Sequence, residues 1–214
     1  MARILLTSGP TREYIDPVRY LTNGSSGRMG AALAAAAVSL GHHVVIVSGP
    51  VAVQYPAEAE LHWVVSTEEM AEAALRLFPE CDGLIAVAAP CDFRPVHRAP
   101  QKLHRTPHRW LLELEETPDI VCRLSAIKRS QWMVAFALET EDARTRALEK
   151  LQRKQCDLIV VNNPSAMEAP ETSVEVLDRE GRVLGSFAGS KQVVGGQLMD
   201  LFERQLIHRF APTP

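Results

Sequence analysis

Cysteine is scarce in this 214-residue chain: Cys81, Cys91, Cys122 and Cys156 lie far apart, and no two form a C-x-x-C pair. That spacing argues against a disulfide framework or a zinc site and leaves reduced thiols, and so a cytoplasmic protein, as the expectation. Charge of one sign is also lacking, since 23 Lys and Arg face 26 Asp and Glu for a net −3. No polyanion-binding surface is indicated, so neither nucleic acid nor membrane is expected as a partner. No apolar run approaches the roughly 20 residues that a bilayer span needs, and the first strand begins within three residues of Met1, so no signal peptide is expected. Two nucleotide motifs are missing as well. G-x-x-x-x-G-K-[ST] occurs nowhere, which excludes a P-loop kinase. G-x-G-x-x-G does not follow the first strand, and the second ends in Ser48-Gly49-Pro50 without the acid that holds an adenine ribose. Oxidoreduction with NAD is therefore disfavoured.

What is present is a 46% hydrophobic chain, enough for one domain over residues 1–214 with a sizeable core. Arg3 to Ser8, His43 to Ser48, Leu61 to Val65, Gly83 to Ala88, Met133 to Leu138 and Leu158 to Val161 read as strands that are mostly apolar throughout. Between them lie helix patterns at Met29–Leu40, Thr67–Leu77 and about Asp142–Arg153, and Thr117-Pro118-Asp119 has the order of a helix start. Apolar strands spaced by helices predict an α/β fold, a doubly wound, mostly parallel, Rossmann-like sheet with helices on both faces. Two segments break the alternation. Residues 94–108 hold Pro95, Pro100 and Pro107 among basic residues and read as a flap before a possible strand, Trp110–Leu114. Val174–Leu177 and Arg182–Phe187 flank D-R-E-G as a C-terminal hairpin, followed by a final helix from about Ser190 to Phe210.

In such a sheet ligands bind beyond the carboxyl ends of the strands. The loop after the first strand is the richest: T-S-G-P-T-R from Thr7, then D-P-V-R-Y-L-T-N-G-S-S-G-R-M-G from Asp16 to Gly30, opening into a helix. Its glycines let backbone approach a ligand closely, and Ser25, Ser26 and the helix amides offer donors to phosphate oxygens. Glycine spacing alone leaves an ordinary turn equally open.

Together with A-A-P-C-D-F-R-P from Ala88, A-P-Q-K from Ala99 and A-F-A-L-E-T from Ala135, these strings resemble bacterial phosphopantothenoylcysteine synthetases in order and spacing over nearly the whole chain. The resemblance implies a ligase of coenzyme A biosynthesis. Phosphopantothenate attacks the α-phosphate of CTP to give an acyl-cytidylate and pyrophosphate, and the amine of cysteine then displaces CMP. It also implies Mg²⁺ with the CTP, no flavin, and a homodimer with shared active sites. The decarboxylase often fused to such synthetases is expected on a separate polypeptide. An ATP-using synthetase, or a homologue that binds nucleotide without turnover, is the alternative.

The same resemblance implies roles for individual residues. Asn23 handles the acyl-nucleotide, its amide suited to orient the anhydride and stabilise the oxyanion. Gly9, Ser25, Gly27 and Gly30 match phosphate and nucleotide contacts, and Ala88, Ala89 and Asp92 match the loop that meets substrate and base. Arg19 matches an arginine that reaches the phosphopantothenate phosphate of the neighbouring subunit, Phe136 one that packs on the nucleotide, and Asn162, preferred over Asn163, an asparagine near it. Lys102 opens what is usually K-x-K-K, a flap cation over the triphosphate. Here that string reads Lys102-Leu103-His104-Arg105, which weakens the flap charge because histidine is mostly neutral at pH 7. Pro90-Cys91 is a second departure, and Cys91, with no histidine paired to it in sequence, reads as packing. No metal ligands are assigned.

Overall fold

The computed structural model describes residues 1–105, 109–138, 142–162 and 171–208. Strands β1 (Arg3–Ser8), β4 (His43–Ser48), β5 (Glu60–Trp63), β6 (Gly83–Ala86), β9 (Trp132–Leu138) and β10 (Leu158–Asn162) form the parallel part of an eight-stranded sheet. The hairpin β11 (Glu171–Asp178) and β12 (Val183–Ser190) extends it antiparallel to β10, in the order β12-β11-β10-β9-β6-β1-β4-β5. Side chains alternate between the two faces of a strand, so every interior strand feeds two cores. Ile4, Leu6, Ile46, Trp132, Val134 and Val160 pack toward helices α1 (Arg28–Ser39) and α5 (Lys191–Phe202). Leu5, Val45, Leu84, Met133 and Ile159 pack toward α2 (Thr67–Leu77), α3 (Ile120–Ala126) and α4 (Ala143–Arg153). Burial on both faces explains why these strands are apolar throughout.

Several local expectations need correction. The loop after β1 is not free of strands: β2 (Arg12–Tyr14) and β3 (Tyr20–Thr22) pair as a hairpin around Asp16, whose Oδ1 accepts from the amides of Val18 at 2.7 Å and Arg19 at 2.8 Å. Trp110–Leu114 is not a strand. The ladder is β7 (Phe93–Pro95) against β8 (Leu114–Glu116), while Leu111 is 90% exposed. Pro95, unable to donate, is tolerated in this two-stranded piece because both of its strands are edges. Helix α3 is capped by Asp119, whose carboxylate accepts from the amide of Cys122 at 3.1 Å. Thr117 instead donates its hydroxyl to the carbonyl of Cys91, and a residue before proline is pushed out of helical conformation. The last helix ends at Phe202 and continues as a π-helical turn, Glu203–Ile207; the expected remainder to Phe210 lies partly outside the described residues.

Candidate active site

The winding reverses between β1 and β6. The chain moves outward from β1 through β4 and β5, then returns to the other side of β1 for β6, β9 and β10. The loops leaving β1 and β6 therefore turn to opposite faces and open a crevice at the carboxyl edge of the sheet.

Polar side chains fix both loops. Glu13, buried on β2, accepts from the amide of Thr67 at 2.7 Å and so satisfies one of the free donors at the start of α2. The hydroxyls of Thr11 and Thr67 meet at 2.8 Å, and Thr11 also accepts from the amide of Cys91 at 2.8 Å. Asn23 donates its amide nitrogen to the carbonyls of Ala89 at 3.3 Å and Pro90 at 2.8 Å. The sequence-derived role for Asn23 uses that nitrogen as a donor to an oxyanion, and here it ties the two loops together. Cys91 is buried with its sulfur 3.5 Å from the carbonyl of Thr11, and burial pushes its thiol pKa up, which agrees with a packing role.

Two glycines explain how α1 reaches the crevice. Gly27 caps the helix at φ +73, in the left-handed region, and a Cβ on Gly30 would sit 2.0 Å from the hydroxyl oxygen of Ser8. A side chain at 30 would lift the helix off β1. Without one, the first amides of α1 border the cleft. Gly9 is also left-handed, at φ +73, and its carbonyl accepts from the amide of Ala89 at 2.9 Å.

On the α1 side the cleft holds about 150 Å³ and is lined by Gly24 to Gly30, Val87 to Ala89, Phe136 to Leu138, Asn162 and Lys191. A second cavity of about 280 Å³ lies on the α3 side, with Asp92, Glu116, Thr117, Asp119, Arg153 and Lys154 among its walls. Ala88 and Phe136 line both and so form the partition between them. Ser25, Gly27, Gly30, Ala88, Ala89, Phe136 and Asn162 thus meet in one cleft, and Asp92 sits in the neighbouring cavity. Asn162 is oriented by Thr172, whose hydroxyl donates to its side-chain oxygen at 3.1 Å; Asn163 lies outside the described residues.

Gly9, Arg19, Asn23 and Lys102 line neither cavity. Arg19 pairs with the buried Asp16 at 2.5 Å and also donates to the carbonyl of Leu103 at 3.1 Å. Asp16 accepts the amide of Leu103 at 3.2 Å, so one carboxylate joins the flap to the arginine loop. Burial opposes charge on Asp16, but the amides of Val18, Arg19 and Leu103 with the Arg19 guanidinium outweigh it and hold its pKa at about 2. Lys102 is exposed beside this clasp, and flap residues 106–108 lie outside the described residues.

Sequence reasoning missed Lys191. Strand β12 is antiparallel to β11, itself antiparallel to β10, so β12 runs with the parallel strands and its carboxyl end joins the same edge. The strand-to-helix junction Ser190-Lys191 carried that signal.

The family model described as "DNA/pantothenate metabolism flavoprotein C-terminal domain" matches residues 1–205. A relative from an unknown prokaryotic organism, named cysteine/cysteine sulfinic acid decarboxylase, is 40% identical over 188 residues, 85% of this chain and 52% of its own length. The coenzyme A biosynthesis bifunctional protein CoaBC of Vibrio vulnificus strain YJ016 is 44% identical over 165 residues, 76% of this chain and 41% of its own. The chain thus spans about half the length, or less, of these curated relatives. A crystal structure of the C-terminal domain of a CoaBC protein superimposes with a TM-score of 0.82 at 35% identity, covering 96% of each chain.

Proposed function

The chain belongs to the family of the DNA/pantothenate metabolism flavoprotein C-terminal domain, and on that premise we propose that it is a phosphopantothenoylcysteine synthetase domain, which joins phosphopantothenate to cysteine at the expense of CTP. The observation that carries the reading is the convergence of the glycine loop, the Ala88-Ala89 backbone, Phe136 and Asn162 on one cleft at the winding reversal.

In this reading the triphosphate lies against the first amides of α1, where the partial positive charge of the helix end and the glycine loop receive its oxygens. Phe136 and Ala88 present an apolar wall to the nucleoside. A carboxylate oxygen of phosphopantothenate attacks the α-phosphorus, the bond to the β-phosphate oxygen breaks and pyrophosphate leaves. The cysteine amine then attacks the acyl carbon, the carbon–oxygen bond to the nucleotide breaks, and CMP departs as the amine gives its proton to solvent. Asn23 reaches the acyl-nucleotide by releasing its longer bond, the 3.3 Å contact to Ala89, while the 2.8 Å bond to Pro90 keeps the loop in place. Lys102 closes on the triphosphate when the flap moves from its clasp at Asp16.

Among the described residues no group of three or more His, Cys, Asp or Glu is arranged to hold a metal. In this reading Mg²⁺ enters with the substrate as MgCTP, because it binds phosphate oxygens and water more readily than an all-protein cage. The reaction uses neither flavin nor NAD. No helix among the described residues is long and apolar enough to cross a membrane. The functional unit is a homodimer in which Arg19 completes the partner's site. Val18, Phe93, Trp110, Leu111 and Leu114, all exposed around the hairpin and flap, supply an apolar surface for that contact.

The test is pyrophosphate release from purified protein with phosphopantothenate and Mg²⁺, comparing CTP with ATP and cysteine with none. CTP-dependent release with cysteine-dependent product supports the reading. Nucleotide binding without release identifies a non-catalytic homologue.

A further inference from the structure

Two buried threonines that line neither cavity close a ring of hydrogen bonds around Cys91. The amide of Cys91 donates to the Thr11 hydroxyl at 2.8 Å, the Thr11 and Thr67 hydroxyls meet at 2.8 Å, and the Thr67 hydroxyl donates to the Cys91 carbonyl at 3.2 Å. Each hydroxyl has one proton. A carbonyl can only accept, so the Thr67 proton goes to Cys91 and the Thr11 proton to Thr67, the direction that gives both protons an acceptor. Bonds that run head to tail in a water-excluded interior polarise one another, so the ring holds more firmly than its separate links.

Peptide geometry gives the ring a target. The Cys91 amide and the Pro90 carbonyl belong to one planar, trans peptide unit, so they point from opposite edges of one rigid plate. Thr11 holds the first edge. Asn23 holds the second, donating to the Pro90 carbonyl at 2.8 Å. The plate cannot turn without breaking both bonds. The Cys91 carbonyl behind it accepts from Thr67 and from Thr117. The Thr11 backbone is fixed in turn, since its carbonyl accepts from the Thr22 hydroxyl at 2.7 Å and the next amide, that of Arg12, donates to Val65 at 2.8 Å.

Resting on the ligase reading of this cleft, we infer that Thr11 is a positioning residue for Asn23. Its hydroxyl sets the tilt of the peptide plane between Pro90 and Cys91. That plane is the pivot from which the Asn23 amide swings to the acyl-nucleotide once its 3.3 Å bond to Ala89 is released. Thr11 itself touches no reacting atom. Because Asn23 serves the attack by cysteine and not the splitting of the triphosphate, the Thr11 hydroxyl matters in the second half-reaction and not in the first.

The test follows both half-reactions in single turnover for wild type, Thr11→Val, Thr11→Ser, Asn23→Ala and the double variant Thr11→Val/Asn23→Ala. MgCTP and phosphopantothenate are mixed first and cysteine is added second, with thermal melts to verify folding. Valine keeps the shape of threonine and removes the hydroxyl. Thr11→Val should release pyrophosphate within about twofold of the wild-type rate but convert the acyl-nucleotide about tenfold to hundredfold more slowly, the loss expected when a buried amide is left unpaired. Thr11→Ser should stay close to wild type, and Thr11→Val should add less than about twofold to the defect of Asn23→Ala in the cysteine step. A cysteine step in Thr11→Val as fast as wild type, an equal loss in both half-reactions, or defects that multiply in the double variant each overturn the inference and leave the ligase reading intact. Wild type that releases no pyrophosphate overturns both. If Thr11→Val does not fold, Thr67→Val, which opens the ring at its next link, replaces it under the same criteria.

Discussion

Gly30→Ala tests whether the first turn of α1 must lie directly on the end of β1. A Cβ at position 30 would fall 2.0 Å from the Oγ of Ser8, 2.7 Å from its Cβ and 3.4 Å from Val87. Ser8 is wholly buried and its hydroxyl accepts from Tyr55 at 2.8 Å, while Tyr55 in turn meets Ser48 at 2.8 Å, so the oxygen cannot swing aside without breaking a buried chain of hydrogen bonds. Alanine's better helix propensity is worth at most about 1 kcal/mol. Forcing a methyl into a packed site costs about 1–3 kcal/mol, and a lost buried hydrogen bond adds about 1 kcal/mol. The net expectation is destabilisation by about 1–3 kcal/mol, a fall in Tm of roughly 3–10 °C for a chain of this size. Urea unfolding followed by circular dichroism reads it. Because the clash is with Ser8 alone at this range, Ser8→Gly/Gly30→Ala should recover at least about 1 kcal/mol over the sum of the single changes. A Gly30→Ala protein as stable as wild type, or an additive double variant, refutes the close-approach argument.

Glu13→Ala leaves the amide of buried Thr67 without its acceptor and should destabilise by about 1–3 kcal/mol in the same urea assay, with α2 the first element to lose hydrogen-exchange protection. Asp16 is charged in the fold down to about pH 2 but has an ordinary value of 3.8 when unfolded. Its contribution is therefore complete above about pH 4 and lost as pH falls toward 2, so an acid titration of Asp16→Asn should show a flatter stability profile across that window than wild type. Lys102→Gln should slow pyrophosphate release at saturating CTP, since a flap cation matters most while the triphosphate is split; an unchanged rate sinks the flap assignment. Mixing Arg19→Ala with Asn23→Ala protein, each nearly inactive alone, should restore partial activity through hybrid dimers holding one intact site. Dimers that fail to complement confine Arg19 to its own subunit.

Much of the fold was legible in the sequence because its causes are local. Apolar runs such as Val44–Val47 and Leu84–Ala86 could only be strands buried on two faces, and Gly41, left-handed at φ +83, follows the end of α1; the cap of α2, expected at Thr67, is Ser66, whose hydroxyl accepts from the amide of Glu69. The glycine loop and Ala88-Ala89 were legible as motifs, and they do converge. What tertiary structure alone decided involves partners distant in sequence. Asn23 donates across 67 residues to Pro90, and Asp16 reaches 87 residues to Leu103, pairings that no local pattern encodes. The expected strand at Trp110–Leu114 shifted to Leu114–Glu116 because a strand exists only where a ladder partner, here β7, is in register. Lys191 read as an ordinary first-turn lysine. It became part of the site because the antiparallel hairpin returns β12 to the direction of the parallel strands and α5 settles against α1, which brings a cation from the end of the chain to the loop at its beginning.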